Sequence, residues 1–494
     1  MADPGRVASG ANLLAWLERE GCEHCVRLGE TPGAGGVGVF ATRDVERGEI
    51  LISCPTRTVI SAAETRLDVD PGMKAFAKAL DDVRVARGDG SGREGTPLDD
   101  STRMQLLLLR ERHTEERRVS LPTDVRQPRD PPPRDAEREP ADVRFSGYWA
   151  AYTRALPGDE LVASLPSSWS EPELERRLGG TSLFPEVLAE RAELVSLAAA
   201  LESVRRGDET ERGDSAFARG AFGVSRLRWA RAVFRSRAIA LPLAGWGRGG
   251  ARGLETKRSG GDDGALVPLL DMCNHARDAG TSLQRRGAAW RLVATRRFTR
   301  GEEVRIDYGG KGNGELLTRH GFVIPNNPFD TVSFQIGTVS FTLHRGVREW
   351  REFPPGARDA AARFLGETAR HSESASRDDL GGKRRRDGET ERRETTRSES
   401  ERDVIVLTFL AESARRRRDA IAAPPGESSR AESVAESDAS GFATSSAFLT
   451  DRACAMVRES QRELLSDLED LARETIEATR TTTRLDDATT TKTR

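Results

Sequence analysis

The sequence predicts an α+β protein: a β-rich fold with a helical insert, followed by an all-α domain. Three stretches carry that prediction. Residues 33–42 are a glycine-rich run, with Gly36, Val37 and Gly38 at its centre, that feeds a strand; a turn at Glu46-Arg47-Gly48 leads to a second strand, Glu49 to Cys54. Glu303 to Tyr308 alternates, so Val304, Ile306 and Tyr308 share one face of a strand and the Tyr308 hydroxyl points inward. From Phe448 to about Arg480 the pattern turns helical, with Leu449, Met456, Leu464, Leu468 and Leu471 as its apolar stripe.

Composition narrows the function classes. Of 494 residues, 32% are charged and 36% hydrophobic, so a folded core interrupted by charged loops is expected. Basic and acidic groups nearly cancel, 77 against 79, which leaves no global field to draw the chain to nucleic acid or to a membrane. No apolar run is long enough for a membrane helix, and the N-terminus carries no signal-like apolar core. A soluble, monomeric, cytoplasmic protein is the expectation, with nucleus or chloroplast left open. Five cysteines are few and odd in number. Cys22-x-x-Cys25 has no second Cys or His pair at finger distance, so it reads as two reduced thiols after a helix, and no metal is expected.

In chain order, Asn12 is positioned to cap a helix through Glu20, with Gly21 as its stop. Helical patterns run from Met73 to Leu109, Ser101 capping the Leu106 to Leu109 run. Six prolines among charges mark 119–142 as a surface insertion. Ser170-Glu-Pro-Glu173 is a capping box, its helix ending at Gly179-Gly180; Thr181 to Ser203 is mostly another helix. Ser225 is placed to cap a helix whose Leu227, Ala230 and Phe234 repeat at helical spacing and that closes at Ser236-Arg237-Ala238. Residues 247–264 read as a mobile loop. Val332/Phe334/Ile336 and Val339/Phe341/Leu343 alternate across Gly337-Thr338, a hairpin signal. Residues 370–403 balance ten basic against ten acidic groups with almost nothing apolar, and 426–446 are Ser-rich, so both read as disordered insertions around a helix from Val404 to Ala414.

Between these lies the stretch from Leu266 to Pro328. Leu266-Val-Pro-Leu-Leu runs into Asp271-Met-Cys-Asn274-His275, an apolar segment delivering polar groups. After the Glu303 strand, Gly309-Gly310 ends the extended run. Asn313 and Glu315 open a short helix, Leu316 to His320, which Gly321 stops before Phe322. Read singly, Asp271, Asn274 and His275 make a satisfied turn and Tyr308 a core tyrosine.

Together, Asp271-x-x-Asn274-His275, Gly301-Glu-Glu-Val-Arg-Ile-Asp-Tyr308, Asn313-Gly-Glu-Leu316 and Gly321-Phe322 resemble the SET-domain methyltransferases, in the branch typified by the Rubisco large-subunit lysine methyltransferase and the actin-histidine methyltransferase. Trp149-x-x-Tyr152-x-x-x-Leu156-Pro157, Ser236-Arg237-Ala238 and Arg458-x-x-Gln461-x-x-Leu464-Leu465 extend the resemblance. It implies a SET domain over 10–345, with a helical insert at about 73–239, and a helical substrate-binding domain over 346–485.

The resemblance also implies roles. S-adenosylmethionine is the implied cofactor, held by Gly36, Val37, Gly38, Arg237, Asn274 and His275, with Asp271 ordering the turn and Phe322 walling the adenine. Tyr308 is the implied catalytic residue, and Ile239, Leu270 and Tyr308 are implied to face a protein substrate. Where the actin-histidine enzyme has an asparagine and a tryptophan, this chain has Ile239 and Leu270, which points to a lysine substrate. Two positions depart from the branch: Gly35 stands where many relatives carry Glu, and His320 where the Rubisco enzyme has a second tyrosine. A histidine methyltransferase and an inactive scaffold that only binds a protein partner are the alternatives.

Overall fold

The computed structural model describes all residues except 1–3, 32–35, 63–64, 66–70, 86–94, 121–146, 213–216, 218–219, 241–263, 347–351, 367–398, 422–445 and 493–494. Gly35 and most of the four expected insertions therefore lie outside the described residues. Their ends do not. Val119 and Ser120 finish a helix, Gly264 opens a strand, Glu399 to Asp403 start a helix and Ser446 starts another.

The chain forms two compact units, Met1–Ser168 with Ala189–Gly309, and Trp169–Leu188 with Gly310–Arg494. The first holds two four-stranded sheets. One runs Glu23–His24, Ile50–Pro55, Ala289–Ala294, Thr281–Arg286, antiparallel throughout. The other runs Val26–Glu30, Val37–Ala41, Glu303–Ile306, Asn274–His275, and its last pair is parallel. The predicted strands in the glycine-rich and Glu303 stretches are thus neighbours. Val304 and Ile306 are buried, as alternation requires, but the strand stops at Ile306 and Tyr308 stands just past its end. Helices cover the rest of this unit's core, where Trp149, Trp229, Trp290, Phe76 and Phe298 are almost fully buried.

Three helix starts differ from the sequence reading. The first helix spans Pro4–Arg19, so Asn12 sits mid-helix rather than at the cap; Pro4 at its first position suits a place where no amide partner is needed. The Asp100–Ser120 helix is capped by Asp99, whose Oδ1 accepts from the Thr102 amide at 2.7 Å, while Ser101 instead receives the Gln105 amide at 3.0 Å. The Val224–Arg237 helix begins after Gly223, leaving Ser225 inside its first turn. Leu227, Ala230 and Phe234 are buried on its core face as their spacing predicted. The Cys22 sulfur faces Cys54 at 3.7 Å, and all five cysteines are free.

In the second unit Ser170 caps its helix, its Oγ accepting from the Glu173 amide at 3.3 Å and contributing about 1 kcal/mol, while the Glu173 carboxylate pairs with Arg177 at 2.7 Å. The helix after it runs Leu183–Arg212, longer than expected, and from Ala189 on it belongs to the first unit. The hairpin is Thr331–Ile336 against Val339–His344, closed by Gly337 at φ 58°. Residues 357–366 are helical, and helices Glu399–Ala420 and Ser446–Lys492 pack through Leu407, Leu410, Leu464, Leu465, Leu468 and Leu471. Leu449, expected in that stripe, is exposed; Ala453, Cys454 and Val457 carry the buried face there. Gln461 and Ser182 exchange hydrogen bonds at 3.0 Å, and Arg458 donates to the Arg176 carbonyl, tying the long helix to the capping-box helix. No described helix is long and apolar enough to cross a membrane.

Candidate active site

The Leu266–His275 stretch is held by its backbone before any side chain acts. Leu266 bridges to Ile60, and the Cys54 thiol donates to the Pro268 carbonyl at 3.0 Å. Leu269 then takes φ 76°, a left-handed conformation that a branched side chain adopts only at a cost, while its side chain is fully buried. The chain turns through a short 3₁₀ segment, Leu270–Met272, and emerges as Asn274–His275, paired in parallel with Arg305–Ile306.

That turn brings the predicted residues together. Asp271 is buried, and its Oδ2 accepts the hydroxyl of Tyr152, a contact spanning 119 residues of chain. Its Oδ1 has no hydrogen-bond partner. Burial pushes the carboxyl up to about 7, against the pull of the Arg237 guanidinium and the Tyr152 hydroxyl. Arg237, at the end of its helix, donates from Nη1 to the Asp271 carbonyl at 2.8 Å and lies 3.1 Å from Met272 sulfur; its Nε is buried without an acceptor.

Tyr308 closes the other side. Its hydroxyl donates to the Cys273 carbonyl at 2.9 Å and its amide to His275 Nδ1 at 3.1 Å, with the two rings 5.0 Å apart. Burial pushes the phenol up to about 12, so it stays protonated at neutral pH. Burial also lowers His275, and its Nδ1 accepts from the Tyr308 amide.

Asn274 Nδ2 donates to Glu303 Oε1 at 2.8 Å and Thr31 Oγ1 at 3.1 Å. Gly38 lies against this cluster. A Cβ there would stand 2.8 Å from Glu303 Oε1 and 2.9 Å from Thr31 Oγ1, so glycine lets the three polar groups converge. Val37 is half-buried in the same strand, and a Cβ on Gly36 would meet nothing within 4 Å.

Ile239 is half-buried in a two-residue strand paired with Ala265, and Leu270 is fully buried. Phe322 belongs to the second unit, where its ring lies 5.9 Å from that of His320. Sequence reasoning missed three participants: Tyr152, Thr31 and Glu303. Tyr152 left a trace as the tyrosine of the Trp149 segment, and Glu303 as the first residue of its strand.

Residues 36–309 match the SET domain family, and the chain belongs to it. A stretch of 71 residues, 14% of the chain, is 35% identical to the ribosomal lysine N-methyltransferase set11 of Schizosaccharomyces pombe, of which it spans 18%. A stretch of 74 residues, 15% of the chain, is 38% identical to the actin-histidine N-methyltransferase of Canis lupus familiaris, of which it spans 13%. The aligned stretches thus cover less than a fifth of each curated relative. The whole fold is similar to the SET domain of LSMT bound to lysine and AdoHcy, at a TM-score of 0.58 and 17% identity over 94% of this chain and 91% of that one. Rubisco LSMT bound to AdoMet matches at the same score over 95% and 93%.

Proposed function

We propose that the protein is an S-adenosylmethionine-dependent protein lysine N-methyltransferase. One observation carries the reading: a neutral, half-buried Tyr308 whose hydroxyl donates to the Cys273 carbonyl, beside Asn274, His275 and Arg237. The residues fit the cofactor. The orphaned Nε of Arg237 suits a carboxylate, and the open side of Gly36 leaves room for backbone approach. Gly36, Val37, Gly38, Arg237, Asn274 and His275 would hold it, and Asp271 would order their turn. When bound, the cofactor supplies a sulfonium methyl for in-line transfer.

The protein's own contribution is alignment and proton control. The transfer forms an N–C bond as the S–C bond breaks, and it needs an amine lone pair. A lysine ammonium, near pKa 10.4 in water, must therefore lose its proton, which an apolar channel favours. With its proton committed to Cys273, the Tyr308 oxygen presents lone pairs that can orient the incoming amine.

Lysine is preferred over histidine because Ile239 and Leu270 are aliphatic. An imidazole whose second nitrogen is buried unpaired would lose roughly 1–3 kcal/mol, whereas a lysine stem loses nothing there. The stretch similar to an actin-histidine enzyme supports the second reading, histidine methylation. Calorimetry with S-adenosylmethionine tests the cofactor and separates an enzyme from a scaffold that need not bind it. Mass spectrometry of lysate proteins methylated by the purified protein with labelled cofactor tests the residue: label on lysine is expected, and label confined to histidine overturns the lysine reading.

A further inference from the structure

We infer that Tyr152 is a positioning residue of the site, holding the 270–273 turn in the form that sets Tyr308 and Asn274. Its functional half rests on the methyl-transfer reading above. Its structural half does not.

The turn has a reason to need an anchor. It follows Leu269, whose left-handed backbone is a local cost, and it ends at the Cys273 carbonyl that takes the Tyr308 proton. Its own amide bonds are local and modest: Asp271 to the Val267 carbonyl at 3.0 Å, Met272 to Leu269 at 3.2 Å, Cys273 to Leu270 at 3.1 Å. Besides the Tyr308 hydroxyl on Cys273, two long-range side chains reach it. Arg237 holds the Asp271 carbonyl, and Tyr152 holds the Asp271 carboxyl.

Tyr152 comes from a fixed platform. Its helix, Ala150–Ala155, is pinned by the Trp149 indole, which donates to the Thr58 carbonyl at 3.0 Å, and by the Gly147 amide on the buried Glu111 carboxylate at 2.9 Å. The Tyr152 ring is fully buried, so no water can replace its phenol if that is removed, and Asp271 would be left with neither oxygen bonded. A bond between a pinned helix and a strained turn transmits position; within a buried network, losing it frees the whole turn.

Hydrogen exchange of the full chain, read at the Asp271, Met272 and Cys273 amides, tests this. Tyr152→Phe should speed exchange there by about tenfold or more, the scale of one buried hydrogen bond, leaving the Thr281–Arg286 and Ala289–Ala294 hairpin unchanged. Asp271→Ala should reproduce it, and the double variant should be no worse than either single one. Asp271→Asn keeps a carbonyl oxygen for the phenol and should retain protection. By calorimetry, Tyr152→Phe should weaken S-adenosylmethionine binding about tenfold. Unchanged exchange in Tyr152→Phe, or additive effects in the double variant, overturns the inference. If Tyr152→Phe does not fold, the contrast between Asp271→Ala and Asp271→Asn decides alone: equal exchange in the two overturns it. A wild-type protein that binds no cofactor would defeat the methyl-transfer reading, while the exchange data would still decide whether Tyr152 holds the turn.

Discussion

Two buried aspartates, one in each unit, are built on opposite plans. Asp330, in the second unit, has both oxygens engaged: the Asn313 amide at 2.6 Å, the Asn313 side chain at 3.2 Å, Ser460 Oγ at 2.6 Å and the Arg345 guanidinium at 3.6 Å. Asp271, in the first, has one oxygen on Tyr152 and the other on nothing, and burial lifts it to about 7. A fully satisfied carboxylate fixes the segments that bond it, here the start of the Asn313–His320 helix, the hairpin and the long C-terminal helix. A half-satisfied one marks a place where the chain tolerates cost, and such places gather at functional sites.

The contrast breaks most sharply at Asp330. Asp330→Ala leaves the Asn313 amide and the Ser460 hydroxyl without their acceptor, while Arg345 keeps Glu463, and should cost about 3 kcal/mol or more in denaturant unfolding. A loss under about 1 kcal/mol would mean the network is not what holds these segments. At the other site the largest effect belongs to rate. Tyr308→Phe should leave the melting temperature nearly unchanged and slow methyl transfer by on the order of 10²-fold, the scale for one positioned polar group. An unaltered single-turnover rate would remove Tyr308 from the chemistry.

Asp271 also makes stability depend on pH. With its folded pKa raised above the ordinary carboxyl value near 3.9, Asp271 contributes stability that is full below about pH 4 and is lost as pH rises through about 7. Asp271→Asn should flatten that slope and, at pH 8, exceed the wild type in stability by on the order of 1 kcal/mol. Denaturation midpoints from pH 4 to 8 that run parallel in the two proteins would show that the carboxyl does not titrate there. Arg237, Tyr152, Tyr308 and the thiols of Cys54 and Cys273 are the groups that face it. The smallest effect is expected from the charge-balanced, apolar-poor stretch: replacing residues 370–396 with a short Gly/Ser link should change stability by a few tenths of a kcal/mol, because loop closure depends weakly on length. A melting temperature lowered by several degrees would sink that expectation.

What the sequence made legible was local or ordered. Gly337-Thr338 between alternating strands, and Ser170 three residues before Glu173, encode their hairpin and cap within a few positions. Asn274, His275 and Tyr308 were found because their motifs follow one another at fixed separations. Helix starts were less legible, since Asn12 and Ser225 are good caps that packing overrode. The bonds of Tyr152 to Asp271 and of Asn274 to Thr31 and Glu303 were not legible at all. Nothing in the spacing of one strand says which distant side chain will satisfy its polar groups, and the left-handed Leu269 carries no glycine or asparagine to announce it.

The Asn274 amide and the Thr31 hydroxyl that it bonds are 243 residues apart in the chain. On the ribosome, Val26–Glu30 and Val37–Ala41 can pair early, but the other edge of Val37–Ala41 waits until the Glu303–Ile306 strand has been made. During that wait this edge has no partner, and pairings over such distances close slowly. The site is thus among the last parts of its unit to form, and a nascent chain that stops short of Glu303 carries the glycine-rich strand as an open edge, the feature by which unfinished β proteins aggregate.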